Sequence, residues 1–127
     1  MNTGNTGNTT LTTTGANTNN IVLGGAVGNT TGDTVLTSVG NITGTGQVVS
    51  GNNVTLDSAT GVGTSTAGRV DTAAATLAAR STASGGVFVS EANAVTLATI
   101  GGVANGATGT GAYDVTAAGT IATGTGG

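Results

Sequence analysis

Few side chains in this 127-residue chain can do chemistry. The acids are Asp33, Asp57, Asp71, Glu91 and Asp114, and the cations are Arg69 and Arg80. Phe88 and Tyr113 are the aromatics, and Cys, His, Lys, Trp and Pro are missing. Paired carboxylates perform general acid–base work, and two flanking one glycosidic bond hydrolyse it. Here Asp57 meets Asp33 or Asp114 only by accident of register. No Trp, His or Lys stands by to hold a sugar. We therefore expect no catalytic residues and no enzyme, with Asp57 and Asp114 as solvated outward positions. Arg69 and Asp71 are two apart, so a strand puts them on one face. Arg80 and Glu91 flank the next turn. Both are expected as surface pairs, each worth at most about 1 kcal/mol.

Zero Cys excludes disulfides, Cys-based zinc sites and thiol catalysis. The Gly-rich calcium-binding nonapeptide is absent, and "GTSTAG" and "TGTG" lack the Lys of a phosphate loop. No metal and no cofactor are expected. Two Arg cannot track a phosphate backbone, so nucleic acid is not an expected partner. No run of 18 apolar residues is present, so no membrane-spanning helix is expected. The opening "MNTGNTGNTT" has neither a basic nor an apolar region and is not a signal peptide. If the protein is exported, this is a processed form or an excised segment.

Any element that positions these residues must be built from small parts. Charged residues are 6% and aromatics 2% of the chain, while hydrophobic residues reach 36%. The core is therefore thin and filled with Val, Leu, Ile and Ala. Thr10-Leu11, Val35-Leu36, Thr55-Leu56, Thr76-Leu77 and Thr96-Leu97 form one series, with Val115-Thr116 as a degenerate last member. The steps are about 25, 20, 21, 20 and 19 residues, in the range of solenoid repeats. A second series, Ile42, Val62 and Ile121, trails the first by five or six residues.

The local period is two. Val54 and Leu56 alternate with Thr55 and Asp57, and Val87 and Val89 with Phe88 and Ser90, which is strand patterning with one buried face. The 25 Gly fall at almost every break. Zero Pro suits strands that hydrogen-bond on both edges. "DTAAATLAAR" (71–80) has helical propensity, but Thr76-Leu77 keeps the repeat register, so a strand is expected there.

The fold expected is all-β: a parallel β-helix, or β-solenoid, of about five to six coils with a period of about 20 residues. At about 4.8 Å per coil the stack is roughly 25–30 Å long. Residues 1–19 form a Thr/Asn/Gly-rich leading segment, either a linker or a first coil, and residues 20–127 hold the repeats. The inward ladder is expected to contain Leu36, Leu56, Leu77, Leu97, Val115, Ile42, Val62 and Ile121. Asn53 and Asn93 are candidates for a stacked Asn ladder. Phe88 alternates outward and is a candidate contact between subunits, unless it packs under a loop. An outward row of Thr10, Thr55, Thr76 and Thr96 is the basis of a remote alternative, an ice-binding Thr array.

"NVTLDSATGVGT", "LAARSTASGGVFVSEANAVTL" and "YDVTAAGTIATGTG" resemble the repeat regions of bacterial surface exoproteins of the filamentous-haemagglutinin type. The likeness covers about residues 33–127. It implies a parallel β-helix, secretion by a two-partner or autotransporter route, and a part in adhesion at the bacterial cell surface. Such proteins carry an N-terminal secretion domain with Asn-Pro motifs. This chain has no Pro, so the match is to the repeat shaft alone, and the resemblance supplies no functional residue. Two readings follow: a non-enzymatic extracellular shaft of an adhesin, or a subunit that stacks head to tail into a fibre. The partners expected are adjoining repeats or other copies of the chain.

Overall fold

The computed structural model describes residues 1–127 and contains no helix. Eleven strands follow in order: β1 (Thr9–Thr12), β2 (Ile21–Val22), β3 (Val27–Gly28), β4 (Thr34–Ser38), β5 (Ile42–Thr43) and β6 (Val48–Ser58). Then come β7 (Val70–Ser81), β8 (Val87–Glu91), β9 (Val95–Leu97), β10 (Tyr113–Ala117) and β11 (Ile121–Thr123). Every strand pairing is parallel. The chain is a β-solenoid of about five coils, each with three faces.

The first face stacks β1, β4, the second half of β6, the second half of β7, β9 and β11. The second is narrow: Ile21, Ile42, Val62, Val87 and Tyr113 follow one another from coil to coil. The third stacks β3, the first halves of β6 and β7, β8 and β10. Along the first face the coils advance by 25 and 20 residues (Leu11 to Leu36 to Leu56). Then come 23, 20 and 26 (Val54 to Leu77 to Leu97 to Thr123).

Alternation decides what is inside. In β4 and β8 every second residue is buried. Leu36, Ile42, Leu56, Val62, Leu77, Val87 and Val89 are fully buried in one core. Burying a Leu or Val side chain is worth about 1.5–3 kcal/mol. The Ala-rich stretch 71–80 lies within β7, because Val70, Ala74 and Leu77 face that core on two faces at once. Packing between coils outweighs a local helical preference.

Polar ladders close the corners. Ser38, Ser58 and Ser81 stack in one buried column at the end of the first face. Ser58 Oγ donates to Arg80 O at 3.0 Å and accepts from Gly61 N–H at 3.1 Å. Ser81 Oγ donates to Gly85 O at 3.0 Å. At the start of the face, Asp33 N–H donates to Asn8 Oδ1, and Asn53 donates through N–H and Nδ2 to Asp33 Oδ1. No buried side-chain polar atom lacks a partner, which is what a stable interior requires.

The register corrects four expectations. Leu36 sits beside Leu56, but Leu56 sits beside Ala79, while Leu77 sits between Val54 and Leu97. The four Leu therefore occupy two neighbouring inward columns rather than one ladder. Val115 belongs to the third face, next to Val89, and is only half-buried. Ile121 belongs to the first face, above Val95, and is 42% exposed because no coil covers it. Asn53 stacks with Asp33 and Thr76, whereas Asn93 is an exposed corner residue, so no Asn53–Asn93 ladder forms.

Candidate functional site

The most built feature outside the core is an excursion of the fifth coil. After β9 the chain leaves the first face and returns at Gly106, which bridges in parallel to Arg80. Between them Ile100 and Val103 form an antiparallel bridge around Gly101 (φ 57°) and Gly102 (φ 84°). Positive φ at both central residues is the hairpin geometry that Gly-Gly supplies at little cost. The resulting strap lies over the outer surface of β4, β6 and β7. It covers Thr55 and Ala78, which alternation would leave in water; they are 4% and 0% exposed.

Asn105 fastens the strap. Its Oδ1 accepts from Ala79 N–H at 2.9 Å and from the Tyr113 hydroxyl at 2.6 Å. Its Nδ2 donates to Leu77 O and Ala98 O, both at 3.2 Å. All four hydrogen bonds of a side-chain amide are thereby used. The amide replaces the stretch of strand that the excursion removed. Burial pushes the Tyr113 hydroxyl up to about 12, because the charged phenolate would lose hydration.

A cleft of about 330 Å³ remains between the strap and the face beneath. The Asp57–Arg80 pair lines it with Thr37, Ile100 and Val103. Asp57 and Arg80 are direct neighbours on successive coils. Arg80 Nε donates to Asp57 Oδ1 at 2.7 Å and Nη2 to Oδ2 at 3.0 Å. This bidentate bond, ahead of the Coulombic attraction, holds the guanidinium above its usual pKa, with desolvation opposing. Fork-to-fork geometry of this kind adds direction as well as energy.

The other acids go elsewhere. Arg69 Nη2 pairs with Asp114 Oδ1 at 2.9 Å, and its Nη1 donates to Val89 O and Asp114 O. Glu91 is 2% exposed and faces the core of the third face. Its carboxylate accepts from Thr72 Oγ1 at 2.7 Å, from Ala74 N–H at 3.1 Å and from Asn93 N–H at 3.1 Å. Asp71 stacks between Val48 and Ser90. The expected Arg69–Asp71 and Arg80–Glu91 pairs are thus replaced by Arg69–Asp114 and Arg80–Asp57. Arg80 finds Asp57 on the adjacent coil, about 4.8 Å away, while Arg69 reaches past the coil of Phe88 to Asp114 two coils on; neither partner lies in the same strand. Asp57 is accordingly an ion-paired, partly covered residue, not a solvated one.

The Thr row is not formed. Thr10, Val35, Thr55 and Ala78 share one outward column, while Asn53, Thr76, Thr96 and Ala122 share another. Mixed columns, one partly under the strap, remove the basis for an ice-binding array. Phe88 does point outward and is half-buried, stacked beside Asp114. Sequence reading missed the strap and its Asn105 anchor. The available signal was "IGGV", the Gly-Gly pair between two β-branched residues. No family model matches the chain, and neither a curated protein nor a solved structure matches it.

Proposed function

We propose that the chain is a mechanical part: a stiff, non-enzymatic β-solenoid shaft in an extracellular bacterial surface protein. The observation that carries this reading is the continuous core. It runs through the coils with its polar corners paired, so load and protease meet few loosely held segments. The resemblance of residues 33–127 to adhesin repeats, and a surface of Thr, Ser and Asn with little charge, support the extracellular setting. The acids support a structural role, since Asp57, Asp114, Glu91 and Asp33 are each tied into a separate contact. Proteinase K digestion tests the reading: strands β6 and β7 survive intact. Early cleavage inside β6 or β7, within 48–58 or 70–81, would overturn it. So would polysaccharide depolymerisation that Asp57→Asn abolishes.

The two end coils favour a second reading, in which other copies adjoin the shaft. Ile121 faces the core column above Val95 yet is 42% exposed. At the opposite end an apolar groove is lined by Leu11, Ile21, Leu23, Val27 and the 73% exposed Val22. Further coils, of a longer chain or of a second molecule, would cover both surfaces and pair their strand edges. Sedimentation across micromolar to millimolar concentrations separates these cases. Head-to-tail assembly gives filaments that Leu11→Lys with Ile121→Lys suppresses, and a strict monomer contradicts it.

A further inference from the structure

The corner between the first and second faces is made of glycine stacked on glycine. A Cβ on Gly85 would lie 2.2 Å from Thr60 O, and a Cβ on Gly111 would lie 1.9 Å from Gly85 O. Neither contact is possible for a side chain, so the coils meet there backbone to backbone. Bare backbone leaves hydrogen-bonding groups accessible. The N–H groups of Gly85, Gly86 and Thr110 donate to no acceptor in the protein, and the carbonyls of Ser84, Gly109 and Thr110 accept from no donor.

These groups border a groove of about 520 Å³ between the turns at 83–86 and 108–112. Phe88 forms one side of it. The ring lies against Gly86, where a Cβ would come within 2.7 Å of Phe88 Cε2. Glycine at 86 therefore seats the ring. No charged residue lines the groove. Arg69 and Asp114 flank Phe88 on the coils either side of it and pair with each other at 2.9 Å, so together they add no net charge beside the ring.

We propose that this groove binds a neutral saccharide. An aromatic ring offers a face to the C–H groups of a pyranose, and wet backbone donors and acceptors suit its hydroxyls. An anionic ligand finds no cation there, and a wholly apolar one would strand the backbone groups. The site adds a binding activity to the shaft and does not depend on that reading.

The test is 1H–15N NMR titration of the full chain with cellohexaose, maltohexaose, chitohexaose and a heparin-derived hexasaccharide. At least one neutral hexasaccharide shifts the amides of Gly85, Gly86 and Thr110. Phe88→Ala weakens that binding roughly tenfold, the loss expected of one stacked ring. Phe88→Leu, which keeps apolar volume but no ring face, weakens it similarly. Thr110→Asp, an exposed change on the opposite wall, weakens it without touching the ring. The proposal is overturned if no neutral sugar moves these amides, if only the heparin fragment does, or if Phe88→Ala and Phe88→Leu leave the affinity unchanged. It is also overturned if the same amides shift with protein concentration alone and sugar adds nothing, since Phe88 is then a contact between copies.

Discussion

Replacing Asn105 with Ala should release the strap and cost about 2–3 kcal/mol. The figure follows from what each lost bond leaves behind. Ala79 is fully buried, and its N–H loses its only acceptor on that side, Asn105 Oδ1. An unsatisfied buried donor costs about 1–3 kcal/mol. Leu77 O still accepts from Ala98 N–H at 3.2 Å, so its loss is smaller. The half-buried Tyr113 hydroxyl can turn to water. For a domain of this size about 4 °C accompanies each kcal/mol, so the melting temperature should fall by roughly 8–12 °C. Amide hydrogen exchange localises the effect: Ala79 N–H exchanges faster, while Ala73 and Leu36 keep their protection. Asn105→Asp should be no better. It keeps an acceptor for Ala79 but turns a carboxylate oxygen toward the carbonyls of Leu77 and Ala98. A loss under about 0.5 kcal/mol in both variants would refute the assignment of Asn105 as the anchor.

Further outcomes follow from the same geometry. Leu56→Asp buries an unpaired charge and should cost several kcal/mol; Thr55→Asp should also cost well over 1 kcal/mol because of the strap, whereas Thr12→Asp, exposed on the same face, stays within about 0.5 kcal/mol in urea melts. Glu91→Leu removes the carboxylate that accepts from Ala74 N–H, Asn93 N–H and Thr72 Oγ1, and should cost at least about 1–3 kcal/mol by the same assay. Tyr113 is the lone tyrosine and there is no Trp, so phenolate absorbance reports it alone and should titrate near 12 rather than 10. The folded state holds that proton more tightly than the unfolded chain does. Stability from this group is therefore complete below pH 10 and is lost between pH 10 and 12, by up to about 2 kcal/mol. A midpoint at 10, with flat stability across that window, would refute the burial of Tyr113.

The parallel solenoid was legible because its cause is local and repeated. Alternation in "NVTLDS" and "GVFVSEA" needs no knowledge of neighbours, and Leu36 and Leu56 fall one coil apart as their spacing implies. Register was lost where coils differ in length. The corner loop at 63–69 makes the third coil 23 residues long on the first face, so Ala79 rather than Leu77 follows Leu56. The strap then lengthens the fifth coil to 26 residues and moves Val115 and Ile121 onto other faces. Contacts between coils were illegible for the same reason. Arg80 finds Asp57 from 23 positions away, a separation that reads as a pair only once the coil length is known. Glu91 looked like a surface acid because nothing in "VSEAN" announces the buried Thr72 hydroxyl and Ala74 amide that receive it.

Cross-linking across the third and fourth coils tests the central claim, parallel stacking in this register, most directly. The chain has no Cys, so introduced pairs report alone. Asp57 and Arg80 are opposed on adjacent parallel strands, within the Cα separation of about 4.4–6.8 Å that a disulfide spans. Thr55 and Thr76 are two residues out of step, because Thr55 opposes Ala78. Under mild oxidation the Asp57→Cys/Arg80→Cys variant should close completely, and the Thr55→Cys/Thr76→Cys variant should stay open. Closure of the second pair in preference would place Leu56 opposite Leu77, and closure of neither would deny the stacking of these coils; either result contradicts the account.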